Sequence, residues 1–495
     1  GTYLPYFELY PNHHPDIHDL LFLPSNANVM LSASDGGLHR TEDCNAPTVS
    51  WNSLNRGYQT TQFYTAIIDK NAPGDNTVIG GLQDNGNFFV NSNEPTATWV
   101  QTVNGDGAHG AIAPNKAFYI LSIQQGRVAK CNLDAAGNVL AYQRIDPIGR
   151  VKDDYLFINP LALDPNNSDV LYLPAGDRLY RQSMLGAIPL NNEWDSISTG
   201  WILFPDPPTQ FNDTDGRHVF SAIAVSEANP AHRVYVGTSR NRLFRIENAH
   251  TGTPSLLPLP LPFGGSLGNV NCISIDPDNA DRVIVAYSNY NIYSLYLSED
   301  AGQTWKKVGG NLEANVAGTD NGPSIRWVSI LPFPDGTRKY YCGTSVGLYS
   351  TDTLLEHIAD IDSTQWTLES PDVIGSAVVD YVDVRASDSL VVVATHGNGM
   401  FFNKPLPTVS SHEPSNSLAV KVFPNPTSSF AEFQIAGAGT ENVTLRLFDQ
   451  SGKLMRQMRF SGGNGRVDLS DLPSGVYLWE LQGRGWRKSG KVVLG

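Results

Sequence analysis

Apolar and polar residues follow one rhythm along the first 400 positions. An apolar run of strand length leads into a Pro/Asn/Asp turn, then a second run rich in Val, Tyr and Ile. A Gly-containing turn and a third, aromatic-bearing run follow, and a Trp strand often closes the unit. Copies start at His18 (HDLLFLPSNANVMLSASDGGLHRT), Phe63, Gly110, Phe157, Phe220, Cys272, Trp327 and Tyr381. Runs of this length bounded by turn residues predict strands, and no stretch carries the apolar period of a long helix. A recurrence of about 40–50 residues predicts stacked sheets, because one such unit cannot bury both faces of its own sheet. The pattern therefore predicts an all-β protein, with a seven- or eight-bladed β-propeller over residues 1–403. The last unit lacks an obvious closing strand, which the N-terminal GTYLPYFELY is placed to supply. A plain sandwich is the alternative, and it leaves eight copies of one turn grammar without a reason.

The rhythm breaks after Asn403. Residues 404–417 are Pro/Ser-rich and read as a linker. Beyond them VKVFPNPTSSFAEFQI, VTLRLFDQSGKLMRQMRF and GRVDLSDLPSGVYLWELQ alternate apolar and polar residues around Gly turns. This predicts a small immunoglobulin-like β-sandwich at 418–495. Charge divides along the same line. The chain carries −15 overall, but residues 418–495 hold ten Lys+Arg against six Asp+Glu, so the part before them carries −19. A body that acidic argues against nucleic acid as a partner, since neutralising phosphates takes clustered Lys and Arg. The longest apolar runs are strand-length and interrupted, so no transmembrane segment is expected. No charged-then-apolar leader opens the sequence; a secretory signal is expected to have been removed or to lie outside it. Cysteines at 44, 131, 272 and 342 lack metal-knuckle spacing, and Cys272 and Cys342 read as buried apolar residues.

Ser298, Asp300, Gly302 and Trp305 stand in the pattern SxDxGxTW, the Asp-box. Its Ser and Asp hold a hairpin backbone, Gly permits positive φ, and Trp anchors the turn. Thr41, Asp43 and Trp51 form a degenerate copy. Together with HPDIHDL, SDGGLHRT, LNRGYQTTQFY, GGLQDNG, GDGAH and ATHGNGMFF, in that order, these residues resemble the exported Asp-box (BNR/sortilin-like, xyloglucanase-like) propellers of Bacteroidetes-type bacteria. Such relatives usually carry Arg where Asn398 stands. The C-terminal segment resembles the type A sorting domain of the type IX secretion system. The match runs through Pro424-Asn425-Pro426, the turn ending at Gly452, and Gly475 and Tyr477. That resemblance implies the type IX machinery as a partner, passage across the outer membrane, then removal of the domain and release or surface attachment. Without it, the segment reads as a module that binds a partner for the mature protein.

Propeller geometry would gather many polar residues on one face. His14, Asp16 and His18 stand at the start of the first unit, Asp35, Asp84 and His396 in turns between second and third strands. Asp106, His109, Asp213, Asp215, His218 and Asp320 fall in connections between units. A ligand is expected over the channel there. Hydrolysis of a glycoside needs two carboxylates about 5–10 Å apart, and Asp16, Asp35, Asp84 and Asp106 are the candidates. If His14, Asp16 and His18 lay on a strand they would share one side and converge on a metal, with His109 or Asp106 as a further ligand. Hydrogen bonding to neighbouring loops is the preferred reading of the three. The run Asn212–Gly216 (NDTDG) resembles half of a calcium loop, which makes Asp213 and Asp215 candidate Ca2+ ligands; no other cofactor is evident. No sialidase constellation, GxSxG, HExxH or phosphate loop is present. The leading expectation is a secreted or surface propeller that binds a glycan or surface protein. A polysaccharide hydrolase and a passive structural module of a longer surface protein are the alternatives.

Overall fold

The computed structural model describes residues 13–57, 59–206, 218–265, 267–319, 322–359, 363–407, 420–435, 442–450, 452–483 and 486–495. Among them the protein is all-β, with three-residue 3-10 turns and no α-helix. It divides into two compact units, Gly1–Pro407 and Thr408–Gly495.

Among the described residues the first unit holds eight antiparallel sheets, each a meander in chain order. We number them I to VIII by their first strands: Ile17–Leu23, Phe63–Ile68, Gly107–Ile112, Ala162–Asp164, Phe220–Val225, Val270–Asp276, Ile325–Pro332 and Val378–Arg385. Among the described residues sheets I–VII have four strands and sheet VIII has three. The segment GTYLPYFELY lies outside the described residues.

First strands pack side by side in succession from II to VIII, and that of VIII returns to that of II. Apolar side chains explain the order. Seven buried clusters lie between neighbouring sheets, one for each pair from II/III through VII/VIII, and one for VIII/II. The strand FYTAII of sheet II is buried along nearly its whole length because both its faces meet other sheets. Short polar side chains tie the first strands together: the hydroxyls of Thr65, Ser221 and Ser329 donate to the carbonyls of Ala108, Val270 and Val382 at 2.8, 2.7 and 2.6 Å. Close approach also needs glycine. A Cβ on Gly81 would sit 2.5 Å from the Ala108 carbonyl oxygen, and one on Gly343 2.6 Å from that of Val379. These first strands enclose a cavity of about 360 Å³.

Sheet I stands apart from this succession. No apolar cluster among the described residues includes it, and Leu20, Leu21 and Phe22 of its first strand are exposed. Its ties to sheet II are polar turn contacts.

The SxDxGxTW turn is held as its residues suggest. Ser298 Oγ accepts from the Gly302 N–H at 2.7 Å, and Asp300 accepts from the N–H groups of Gln303 and Thr304 at 3.0 and 2.8 Å. Gly302 has φ +85°, and Trp305 Nε1 donates to the Pro260 carbonyl of sheet V's closing loop at 2.9 Å. All four cysteines are free thiols, three of them buried.

In the second unit a three-stranded and a four-stranded antiparallel sheet share one core that includes Phe433, Leu445 and Trp479. The Pro424-Asn425-Pro426 entry is tied to the last strand: Asn425 Nδ2 donates to the Lys491 carbonyl at 3.0 Å, and its Oδ1 accepts from the Val493 N–H at 2.9 Å. Gly452 closes its turn with φ +82°, and the Tyr477 hydroxyl donates to the Pro473 carbonyl at 2.6 Å.

Candidate functional site

Most first strands of the larger unit break register near their start. The extra residue is His18 in sheet I, Tyr64 in II, Ser221 in V, Asn271 in VI, Arg326 in VII and Asp380 in VIII. In sheet III residues 108–109 stand opposite Ser122 alone. A bulge takes its extra residue out of the ladder and re-aims the side chain. In strands that are otherwise largely apolar, the residues singled out this way are polar.

Four expected carboxylates meet where a turn of sheet I approaches a turn of sheet II. Asp84 sits in the turn after Thr77–Leu82 with φ +58°, a conformation Asp tolerates better than most residues. Its N–H donates to Asp106 Oδ1 at 2.9 Å, and its carbonyl accepts from His14 Nε2 at 2.9 Å. Asn85 Nδ2 donates to the Asp35 carbonyl at 3.2 Å, which fastens the two turns together. His18, on the first strand of sheet I, hydrogen-bonds the Asp35 carboxylate. Asp16 is exposed beside His14, its Oδ2 3.5 Å from Nδ1.

Electrostatics single out Asp106 among these acids. Burial lifts the Asp106 carboxyl above the usual carboxylate range; the Asp84 N–H opposes this, while the charges of Asp84 and Asp16 add to it. The hydrogen bond that His18 donates to the Asp35 carboxylate, then the charge of that carboxylate, raises the His18 imidazole. Burial pushes the Tyr64 phenol up to about 12, helped by Asp106, Asp84 and Asp380. A carboxyl raised by burial is what a proton-donor role needs.

The metal expectation meets a different geometry. His14 and Asp16 precede the strand Ile17–Leu23, so strand alternation does not bring them to the side of His18. Ligand atoms of His14, Asp16 and Asp35 lie within 4.8 Å of one another. Both imidazole nitrogens of His14 are occupied, however: Nδ1 accepts from the Asp16 N–H at 3.2 Å and Nε2 donates to Asp84. A cation there would have to displace one of those bonds. The other weak metal candidates, Asp213 and Asp215, and with them Asp320, lie outside the described residues. His218 is buried.

His109 is placed differently from the expectation. It lies within the strand Gly107–Ile112 and lines the cavity, where burial pushes its imidazole down to about 4. His396 ends the second strand of sheet VIII, its Nδ1 3.8 Å from Asp380 Oδ2. Asn398 donates through Nδ2 to the Ile374 carbonyl at 3.2 Å, bracing the adjoining loop.

Sequence reading missed Tyr64, Arg326 and Asp380. Asp380 is held above the usual carboxylate range by burial, opposed by Arg326, whose Nε is 4.0 Å away, and by His396. The available signal was a polar residue near the start of an apolar first strand: FYT, IRW and VDY.

Residues 421–494 match the family model of the secretion system C-terminal sorting domain. The protein is exported. Its tail marks it for the type IX machinery, which delivers it to the cell surface or the medium, and among the described residues no helix is long and apolar enough to cross a membrane. The chain is also 26% identical over 182 residues to an oligoxyloglucan-reducing end-specific xyloglucanase of Emericella nidulans. That stretch covers 35% of this chain and 21% of the fungal enzyme, so the exported protein spans about a fifth of that relative's length.

Proposed function

We propose that the exported protein is a glycan-binding β-propeller of the Asp-box kind. Sheets II–VIII would be seven blades around the cavity, with sheet I beside them. Residues 418–495 would be an immunoglobulin-like sorting module, removed after passage of the outer membrane. The seven inter-sheet clusters and the return of sheet VIII to sheet II support the ring. The observation that carries the binding reading is the gathering of Asp16, Asp35, Asp84 and Asp106 at the junction of two turns, with Tyr64 within electrostatic reach of Asp84 and Asp106. Carboxylates are acceptors, and an acidic surface of this kind selects ligands that present hydroxyl donors and carry no negative charge. Similarity to a xyloglucanase supports a polysaccharide as the source of those hydroxyls.

Hydrolysis is the second reading, favoured by one observation: Asp106 is lifted above the usual range beside other carboxylates, as a general acid requires. One experiment separates the readings. The full chain is incubated with plant and bacterial polysaccharides, xyloglucan among them, and retention and new reducing ends are measured on the same samples. Retention without release, weakened by Asp106→Asn or Asp35→Asn, is expected. Release abolished by Asp106→Asn would make the protein a hydrolase, and neither retention nor release would overturn the glycan reading in favour of a protein ligand.

A further inference from the structure

The cavity between the first strands of sheets II–VIII, about 360 Å³, lies at the small end of the roughly 300–1,000 Å³ seen for small-molecule sites. Three aromatic side chains from three different sheets meet at it: His109 of III, Trp327 of VII and Tyr381 of VIII. The Trp327 and Tyr381 ring centroids are 4.0 Å apart, and the His109 ring is 6.1 and 5.9 Å from them. All three are half-buried, and they line the cavity.

Their polar atoms are unused. Neither the His109 imidazole, the Trp327 indole N–H nor the Tyr381 hydroxyl has a hydrogen-bond partner among the described residues. This contrasts with Ser221 and Ser329, which line the same cavity and are tied to carbonyls of neighbouring strands. The trio is also uncharged, because burial depresses the imidazole and raises the phenol. It offers an indole donor, a hydroxyl that can donate and accept, and a neutral imidazole with one donor and one acceptor. The two cations lining the cavity, Lys70 and Arg385, are paired with Asp383 and Asp388, each at 2.7 Å, so neither is left to attract an anion.

We propose that the cavity binds one uncharged, polyhydroxylated ring, such as a single pyranose residue at the end of a glycan. The ring would pack against the Trp327–Tyr381 pair and be hydrogen-bonded by His109, Trp327 and Tyr381. Aromatic residues with a polar handle suit such a ligand, which has apolar faces and a hydroxylated rim. The inference deepens the glycan reading and rests on it.

The test titrates the full chain with D-glucose, D-xylose and D-galactose by calorimetry, alongside polysaccharide retention on the same preparation. Saturable one-site binding of at least one sugar is expected. Tyr381→Phe and His109→Gln should each weaken it roughly three- to tenfold, the worth of one hydrogen bond, with unchanged thermal melting; Trp327→Phe, which removes the N–H and part of the packing surface, should weaken it at least as much. Polysaccharide retention with no monosaccharide binding, or monosaccharide binding equal in all variants, overturns the cavity site and leaves the glycan reading standing. Absence of both kinds of binding overturns the two together.

Discussion

Sheet VIII is joined to sheet II by a buried guanidinium. Arg385 has no exposed side-chain surface. Its Nε and Nη2 donate to the two carboxylate oxygens of Asp388 at 2.7 and 3.0 Å. Across the junction, Nη1 donates to the Asp69 carbonyl at 3.1 Å and Nη2 to the Asp75 carbonyl at 2.9 Å, both on the first turn of sheet II. Asp388 completes the link by accepting from the Gly74 N–H at 2.9 Å and from Lys404 at 2.6 Å. Arg385→Met keeps much of the volume and removes all four donations. It leaves two carbonyls unpaired and a carboxylate that retains only its outer partners. Removing one member of a buried, hydrogen-bonded ion pair costs about 3–5 kcal/mol, a large share of the roughly 5–15 kcal/mol that holds a native domain together. Arg385→Lys keeps the charge without the planar fork and should lose an intermediate amount. Urea unfolding reads the loss as a lower midpoint at unchanged slope, and amide exchange should accelerate first in residues 69–75. A loss below about 1 kcal/mol for the Met variant would refute the argument and leave the apolar cluster between the two sheets as the whole of the closure.

Two further outcomes follow from the same geometry. His18 is raised above its unfolded value near 6.5 by Asp35, so its link to sheet I's own turn is fully made below that pH and is lost as pH rises through the folded value. An imidazole proton titration by NMR should show a midpoint above that of the Asp35→Asn variant, and coincident midpoints would remove the pair from the account. Asp300 accepts from the N–H groups of Gln303 and Thr304 and from the hydroxyls of Thr304 and Ser298. Asp300→Ala should therefore destabilise the larger unit by about 1–2 kcal/mol, measured by urea unfolding, and an unchanged midpoint would mean that Ser298 and Trp305 hold the hairpin alone.

The eight sheets of the larger unit begin within a few residues of the eight units read from the sequence, because each is a local meander whose turns carry their own chemistry. The SxDxGxTW hairpin and the Pro-Asn-Pro entry are legible for the same reason: their partners are close in sequence or lie on the adjoining strand. Three features were hidden. Sheet I reads like its neighbours, and only packing reveals that Leu20, Leu21 and Phe22 are exposed among the described residues. His109 reads as part of a connection because the third unit is read from Gly110, yet the strand already begins at Gly107. Asp380 went unnoticed because a bulge is a property of two paired strands, and one strand's sequence does not show where pairing slips.

A frame of this kind carries polar side chains where its ladders slip. A first-strand position that faces a neighbouring sheet is fixed by the apolar cluster it must fill, as Val379 and Val382 are between sheets VII and VIII. Asp380, between them in sequence, belongs to neither cluster, since the bulge releases it from the alternation that binds its neighbours. Tyr64 in sheet II and Arg326 in sheet VII stand in the same relation to their strands. Substitution at these positions can change charge or hydrogen bonding without opening a void in the core, so the frame tolerates variety where the ligand would meet it. Tyr64 already feels the product of that freedom: Asp106 and Asp84 act on its hydroxyl from the loops of sheets II and III, and Asp380 from the bulge of sheet VIII. The electrostatic character of this part of the surface is thus set by residues far apart in the chain, each supplied by a different sheet at a point where its ladder gives way to a bulge or a turn.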